Sequence, residues 1–182
     1  MRYAPITAAM LLILVSGCAR QESEEDVVPP PATTTATAPV EEDYSHLPPP
    51  VVAPVKLEVT LSPKAQAELS KLSEGIVVEA VYAGDPVPAA STQTNEFGLL
   101  DLGKATKELK GPGTVTLAED VIDRSKLDLI VGQPQIMLNV RSARKATPNN
   151  ILACKFYWES VATASKQTVQ IPCTLLSEAP AE

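Results

Sequence analysis

Few residues after residue 54 have the types and spacing that catalysis needs. The only histidine, His46, comes earlier in the chain, so no serine or cysteine in the later part can be paired with a histidine base there. Four acids fall close together in a segment without clear periodicity: Glu119, Asp120, Asp123 and Asp128. They could bind a hard cation or act as acid and base, but their spacing matches no calcium-binding loop. Solvated loop acids are commoner, so we expect no catalytic residues.

Other chemical motifs are also missing from the sequence. Two cysteines without a nearby histidine make no closed zinc site, and there is no glycine-rich phosphate loop or dinucleotide fingerprint. The formal net charge is −7, and most of it belongs to residues 19–54, whose net charge is −6. This balance gives no support to nucleic-acid binding. We therefore predict that the protein is not an enzyme and that it holds neither a metal nor another cofactor.

One basic segment could bind a partner. Arg141, Arg144 and Lys145 lie in a predicted polar loop at 141–150 and form the most basic surface segment of the later chain. Such a loop attracts anionic groups and raises association rates without fixing specificity. The alternative is solvated charge on a turn, with no partner.

One aromatic segment could also form a binding surface. Phe156-Tyr157-Trp158 could make a platform on which sugars stack. However, strand alternation puts Phe156 and Trp158 on the same face as Cys154, which we expect to point inward. The sequence therefore favours a core position for both rings.

The amino terminus carries a five-residue motif that ends in a cysteine. Arg2 precedes an apolar run that is too short to cross a bilayer, which takes roughly 20 residues, and Leu14-Val15-Ser16-Gly17-Cys18 closes this run. The pattern resembles the signal peptide and lipobox of bacterial lipoproteins. The resemblance implies that residues 1–17 are removed and that Cys18 carries lipid. Because alanine rather than aspartate follows Cys18, it also implies a location at the outer membrane, facing the periplasm.

The remaining two cysteines predict a disulfide. Once Cys18 is lipidated, Cys154 and Cys173 form an even pair in a chain that the signal sends to an oxidising compartment. Both fall on the inward set of their predicted strands. The alternative is a pair of buried free thiols.

Residues 18–54 read as a tether rather than as part of a domain. Eight of the protein's 17 prolines fall between residues 19 and 54, together with a threonine-rich run and seven acids. Such a composition cannot bury enough apolar surface to offset its ordering entropy, so it predicts a disordered spacer. The alternative is a proline-binding partner for Leu47-Pro48-Pro49-Pro50. Residues 179–182 are expected to be a flexible tail.

Residues 55–178 predict an all-β domain. About seven short strands with turn punctuation, and one or two short helices, are typical of an antiparallel β-sandwich of immunoglobulin-like or transthyretin-like topology. Ser62 and Pro63 mark a helix start, and Gly75 is its expected end. The glycines at 111 and 113 predict a hairpin turn, and Pro172 predicts that the last strand lies at a sheet edge or is bulged.

Three functions are compatible with these observations. We expect a lipid-anchored cell-envelope protein whose β-sandwich binds or scaffolds another envelope component, a protein or a glycan, without catalysis. An inhibitor of an extracytoplasmic hydrolase is the first alternative, with the loops at 84–98 and 141–150 as candidate inserting segments. A carboxylate-dependent hydrolase that uses the acids at 119–128 is the second.

Overall fold

A computed structural model describes residues 43–178 of the chain. The predicted signal peptide, the predicted lipidation site at Cys18, most of the predicted tether and the predicted tail at 179–182 lie outside these residues. In the part that is described, no helix is long and apolar enough to cross a membrane.

The described part is a β-sandwich of two four-stranded sheets, as the sequence predicts. Its strands are β1 (Val55–Leu61), β2 (Ile76–Pro86), β3 (Leu100–Leu109), β4 (Gly113–Leu117), β5 (Ile130–Ser142), β6 (Leu152–Cys154), β7 (Tyr157–Ser160) and β8 (Val169–Leu175). Its helices are α1 (Pro63–Leu72) and α2 (Val161–Ala164), and short 3-10 helices occupy Pro88–Gln93, Glu119–Val121, Arg124–Leu129 and Leu176–Glu178. The first sheet has the order β4-β1-β8-β6 and the second has the order β3-β2-β5-β7.

Alternating apolar residues on the strands form one core between the sheets. In β1, Val55, Leu57 and Val59 are fully buried, and in β5 the same is true of Ile136 and Leu138. Because successive side chains of a strand point to opposite faces, the residues between them form the outer faces of the sheets. The outer face of the second sheet therefore consists of the alternate residues of its four strands.

Helix α1 begins as the sequence predicts but ends earlier. The Ser62 hydroxyl accepts a hydrogen bond from the backbone N–H of Ala65 at 3.1 Å, and Pro63 occupies the first turn, where its missing N–H has no consequence. The helix ends at Ser73, which adopts a left-handed conformation with φ of 53°, and not at Gly75. Ser73 fills the role that glycine more often takes at this position.

The strand order departs from one of the two expected topologies. An immunoglobulin constant domain has its first two strands in the same sheet, whereas β1 and β2 lie in different sheets. In addition, β1 pairs with β8 in parallel, and the other pairs of neighbouring strands are antiparallel.

Two local predictions are wrong. First, β3 and β4 do not form a hairpin, because β4 pairs with β1 and the turn between them carries the chain from one sheet to the other. Second, β8 lies inside its sheet, between β1 and β6. Pro172 is accommodated because its carbonyl faces the end of β6 and accepts a hydrogen bond from Lys155 N–H at 3.0 Å, beyond the last ladder pair. The backbone N–H that Pro172 lacks would therefore point to a place where β6 has already ended.

The predicted disulfide is present. Cys154 in β6 and Cys173 in β8 are direct partners in the antiparallel register, with their Cα atoms 4.0 Å apart. The bond joins a three-residue edge strand to the interior of the first sheet.

The last residues before β1 contact the domain. The Gln133 side chain accepts a hydrogen bond from Val51 N–H at 2.9 Å and donates to the carbonyls of Pro48 and Pro49. Val52 also packs against the core. The predicted tether thus becomes part of the domain several residues before Val55.

A candidate binding groove on the outer face of the second sheet

A row of four side chains crosses the outer face of the second sheet. Lys104 in β3 is the register partner of Val81 in β2, Val81 is the partner of Met137 in β5, and Met137 is the partner of Trp158 in β7. Because adjacent strands are roughly 4.8 Å apart, this row spans roughly 15 Å. All four residues line one cavity of about 820 Å³, which we call the outer groove.

Three exposed aromatic side chains line the outer groove. Phe97 is 68% exposed, Phe156 is 57% exposed and Trp158 is 48% exposed. The expectation that Phe156 and Trp158 lie in the core is therefore wrong. The predicted strand at 151–158 is two strands, of which β6 belongs to the first sheet and β7 to the second. The crossing at Lys155 and Phe156 changes which face each later residue occupies.

Phe97 is presented by a turn that Asn95 holds. The Asn95 side-chain oxygen accepts hydrogen bonds from Phe97 N–H at 2.9 Å and from Leu99 N–H at 3.2 Å, and its amide donates to the Asp101 carboxylate at 2.7 Å. Gly98 completes the turn with a φ of +75°, which glycine adopts without steric cost. Phe97 is thus exposed on a backbone that is locally fixed.

Trp158 is oriented by a chain of polar side chains. Its indole N–H donates to the Gln135 side-chain oxygen, and the Gln135 amide donates to Asp85 at 3.0 Å. These three residues also line a second cavity of about 520 Å³ beside the outer groove. Gln133, which holds residues 48–51, lines this second cavity as well. Trp158 therefore separates the outer groove from the place where the amino-terminal segment reaches the domain.

Charged and amide groups line the outer groove together with the aromatic rings. The outer groove is lined by four acids and two lysines: Glu79, Glu96, Asp101, Asp123, Lys104 and Lys126. Glu79 forms an ion pair with Arg141 at 2.7 Å, and Lys126 donates to the Asp101 carbonyl at 2.9 Å. Within residues 43–178, Glu96 and Lys104 make no side-chain hydrogen bond or ion pair.

The predicted basic residues do not form one cationic surface with the groove. Arg141 is half-buried on the outer face beside Glu79. Arg144 is exposed in a turn with φ of 59°. The Lys145 ammonium pairs with Glu108, and its backbone N–H donates to the buried carboxylate of Glu74. Two of the three cations therefore have an acidic side chain as a partner.

Within residues 43–178, the acids at 119–128 do not come together as a metal site. Asp123 caps the 3-10 helix Arg124–Leu129, and hydrogen bonds from the Ser125 hydroxyl and N–H lower the pKa of its carboxyl. A general acid at neutral pH needs the opposite shift. In the described range, 43–178, no group of three or more His, Cys, Asp or Glu side chains is arranged to hold a metal ion.

The sequence contains little that identifies the outer groove. Phe97 lies in a polar segment that the sequence predicts as a loop, and nothing in that segment distinguishes an exposed phenylalanine from a buried one. Asn95 followed by glycine at position 98 is the one local signal, since both residues favour turns. Val81 belongs to a strand that reads as apolar on both sides, and Met137 belongs to the outer set of a strand that alternates cleanly.

Comparisons with models of known protein families, with curated proteins and with solved structures find no match to the chain. The fold and the outer groove therefore define this protein only as a β-sandwich with an aromatic-lined surface cavity.

Proposed function

We propose that this protein is a lipid-anchored component of a bacterial cell envelope whose β-sandwich binds another envelope component through the outer groove, without catalysing a reaction. The amino-terminal lipobox supports the anchor, and the disulfide is consistent with an oxidising compartment. The predicted location is the outer membrane, with the domain facing the periplasm. The tether between Cys18 and the domain gives the domain reach from that surface.

A single observation carries the binding role: three exposed aromatic rings from separate parts of the chain line one groove. Exposed apolar side chains scattered singly are normal, whereas a contiguous patch rimmed by polar residues marks an interaction site. Phe97 comes from the loop before β3, while Phe156 and Trp158 come from the segment around β7. Exposing three apolar rings to water in one groove is unfavourable, and a ligand that covers them would recover this free energy.

Cross-linking in cells tests this proposal. A photoreactive phenylalanine analogue replaces Phe97 in the full-length chain, and a second version carries it in place of Leu176, which is also exposed but does not line the groove. Irradiation should give a cross-linked product from position 97 and none from position 176. Adding Trp158→Ala should reduce the yield from position 97.

The proposal is wrong if position 97 gives no product, or if positions 97 and 176 give the same products in equal yield. A product whose yield does not respond to Trp158→Ala would equally count against the groove as the binding site.

Inhibition of a hydrolase is a second candidate, and one observation favours it. A cleft-inserting inhibitor presents an exposed side chain on a fixed loop, which is how Asn95 presents Phe97. The full-length chain, added in tenfold excess to lysozyme and to trypsin, should leave both activities unchanged if the groove is a binding site for an envelope component. Inhibition that Phe97→Ala abolishes would favour the inhibitor instead.

A further inference from the structure

We propose that the ligand of the outer groove is a neutral glycan chain. This inference rests on the proposed binding function and names the chemistry of the partner. It depends on three properties of the groove: its exposed aromatic rings, the polar groups that line it and the sign of its charge.

The aromatic rings suit flat, partly apolar ligand units. Phe97, Phe156 and Trp158 expose about half of their surfaces or more while lining a single cavity. A sugar ring has an apolar face of C–H groups that can lie against such a ring, as a base lies against an aromatic side chain in single-stranded nucleic-acid binding. A sugar ring stacked in this way needs no hydrogen bond from the aromatic residue. Trp158 is already oriented by Gln135, so little side-chain entropy is lost on binding.

The polar groups that line the same groove suit the hydroxyl groups of a sugar. Glu96, Asp101, Asn139 and Lys104 line the same cavity and provide both acceptors and donors. A polyhydroxylated chain can bond to each of them while part of the groove stays wet. The core of a protein–protein interface is instead depleted of charged residues. Covering the carboxylate of Glu96, which has no partner among the described residues, with an apolar protein surface would cost its desolvation.

The charge of the groove disfavours an acidic ligand. Four carboxylates line it against two lysines, and one of those carboxylates, Glu79, is paired with Arg141. The remaining charge is still negative at neutral pH. Like charges brought into a partly desolvated site repel each other, so an uronic acid polymer would bind more weakly than an uncharged one.

The dimensions of the groove suit a chain rather than a single sugar. Its volume of about 820 Å³ is near the upper end of the range for ligand pockets. The row from Lys104 to Trp158 crosses the whole sheet, roughly 15 Å. Phe97 precedes β3 and Trp158 lies in β7, and these are the two edge strands of the sheet, so the two rings would contact different sugar units.

Tryptophan fluorescence tests this inference directly, because Trp158 is the only tryptophan of the chain. The full-length protein, in a detergent without a sugar head group, is titrated with chitohexaose, cellohexaose and hexagalacturonate. At least one of the two neutral probes should shift the emission of Trp158 in a saturable way, and hexagalacturonate should bind at least tenfold more weakly. Calorimetry on the same samples gives the affinities independently of the fluorophore.

Phe97→Ala keeps the fluorophore and should weaken binding of the neutral probe about tenfold, since one stacked ring is lost. Leu176→Ala, an exposed apolar residue outside the groove, is the matched control and should leave the affinity unchanged.

The inference is overturned if neither neutral probe binds at millimolar concentration, if hexagalacturonate binds as tightly, or if Phe97→Ala behaves like Leu176→Ala. When the cross-linking at Phe97 still gives a specific protein product in that case, the binding function stands and the occupant is a protein. When position 97 gives no product either, both proposals fail.

Discussion

Glu74 is a buried acid whose role is to hold a neighbouring loop. It is 3% exposed, and its carboxylate accepts hydrogen bonds from the backbone N–H groups of Gly75, Lys145 and Ala146 at 2.8 to 3.2 Å. Burial acts to raise the pKa of Glu74, but the hydrogen bonds from Ala146, Lys145 and Gly75 outweigh it, so the pKa is lowered from the ordinary value of 4.5. The ionised carboxylate therefore stabilises the start of the loop after β5.

Glu74→Gln should lower the free energy of unfolding by about 1–2 kcal/mol at pH 7, because hydrogen bonds to a charged acceptor are stronger than those to a neutral one. A group whose pKa is lower in the folded state contributes stability above its unfolded pKa and loses it as pH falls. The wild-type advantage over Glu74→Gln should therefore shrink as pH drops below about 4.5. Urea titrations at pH 7 and at successively lower pH measure both effects.

Glu68→Gln is the matched control for this prediction. Glu68 lies in α1 with only an exposed contact to Lys71 at 3.4 Å, so its substitution should change stability little at any pH. Equal effects of the two substitutions would contradict the role given to Glu74.

Residue burial could be predicted from the sequence only where a strand is continuous. Alternation correctly assigns Ile136, Leu138 and Val140 to the core. It fails for Trp158, because alternation carries no information about a crossing between sheets at Lys155 and Phe156. The same reasoning that places β5 correctly therefore assigns Phe156 and Trp158 to the core, although both are exposed.

At the scale of elements, the disulfide fixes β6, which is otherwise held by a short ladder. β6 has three residues, and its ladder to β8 has three register pairs. The Cys154–Cys173 bond closes a loop with a sequence separation of 19 and spans the crossing that leads to Trp158. Loss of this bond should thus affect both stability and the outer groove.

Replacing both Cys154 and Cys173 with alanine should lower the free energy of unfolding by about 3 kcal/mol on the chain-entropy account. Denaturant titrations of the wild type with and without reductant should show a loss of similar size, while the double variant should not respond to reductant. If reduction leaves the wild-type midpoint unchanged, the bond does not stabilise the fold.

Gly103 allows the segment at 119–123 to lie against β3. A Cβ atom at this position would be 2.0 Å from the Val121 carbonyl oxygen, which is backbone and cannot rotate away. Asp123 N–H also donates to the Leu102 carbonyl at 2.7 Å, so the two segments are joined next to the contact.

Gly103→Ala should therefore destabilise the fold by about 1–3 kcal/mol, as overpacking does. It should also increase hydrogen exchange in the segment at 119–123. Gly111→Ala is the control, since nothing lies within 4 Å of its added methyl group. Thermal unfolding that is equally affected by both substitutions would show that close packing at Gly103 is unimportant.

The strand pairings were less predictable than the strands themselves. Short loops favour pairing of consecutive strands, which is why a β3–β4 hairpin was expected. In the structure β4 instead pairs with β1 in the first sheet, where Leu117 is the register partner of Val55 and is buried in the core. The prediction that Pro172 places β8 at a sheet edge is wrong for a similar reason. The effect of a proline depends on where the neighbouring strand ends rather than on the proline itself.

At the scale of the whole molecule, the lipid anchor is the prediction on which the location depends. Mass spectrometry of the protein purified from its native membrane should find an amino terminus at Cys18 with added acyl groups. Cys18→Ser should move the protein from the membrane fraction to the soluble fraction or leave an uncleaved precursor. The control is Cys154→Ser, which should keep the anchor. An uncleaved, unmodified amino terminus on the wild-type protein would contradict the lipobox.

The fold class and the disulfide could be predicted because they depend on composition, alternation and cysteine number, which are local or countable. The outer groove could not, because it is made by residues from all four strands of the second sheet and from several connecting segments, whose proximity depends on sheet order. Val81 and Met137, for example, become neighbours only through the β2–β5 register.

The parallel pairing of the first and last strands sets the timing of folding. Glu58 in β1 and Gln170 in β8 are neighbours although they are 112 positions apart in the chain. A ribosome or a translocation channel delivers β1 first and β8 last, so one side of β1 stays unpaired until almost the whole domain has emerged. Contacts this distant in sequence make folding slow. Nascent chains should therefore stay sensitive to proteases until the carboxyl terminus is released, and any product that stops before Val169 should be degraded.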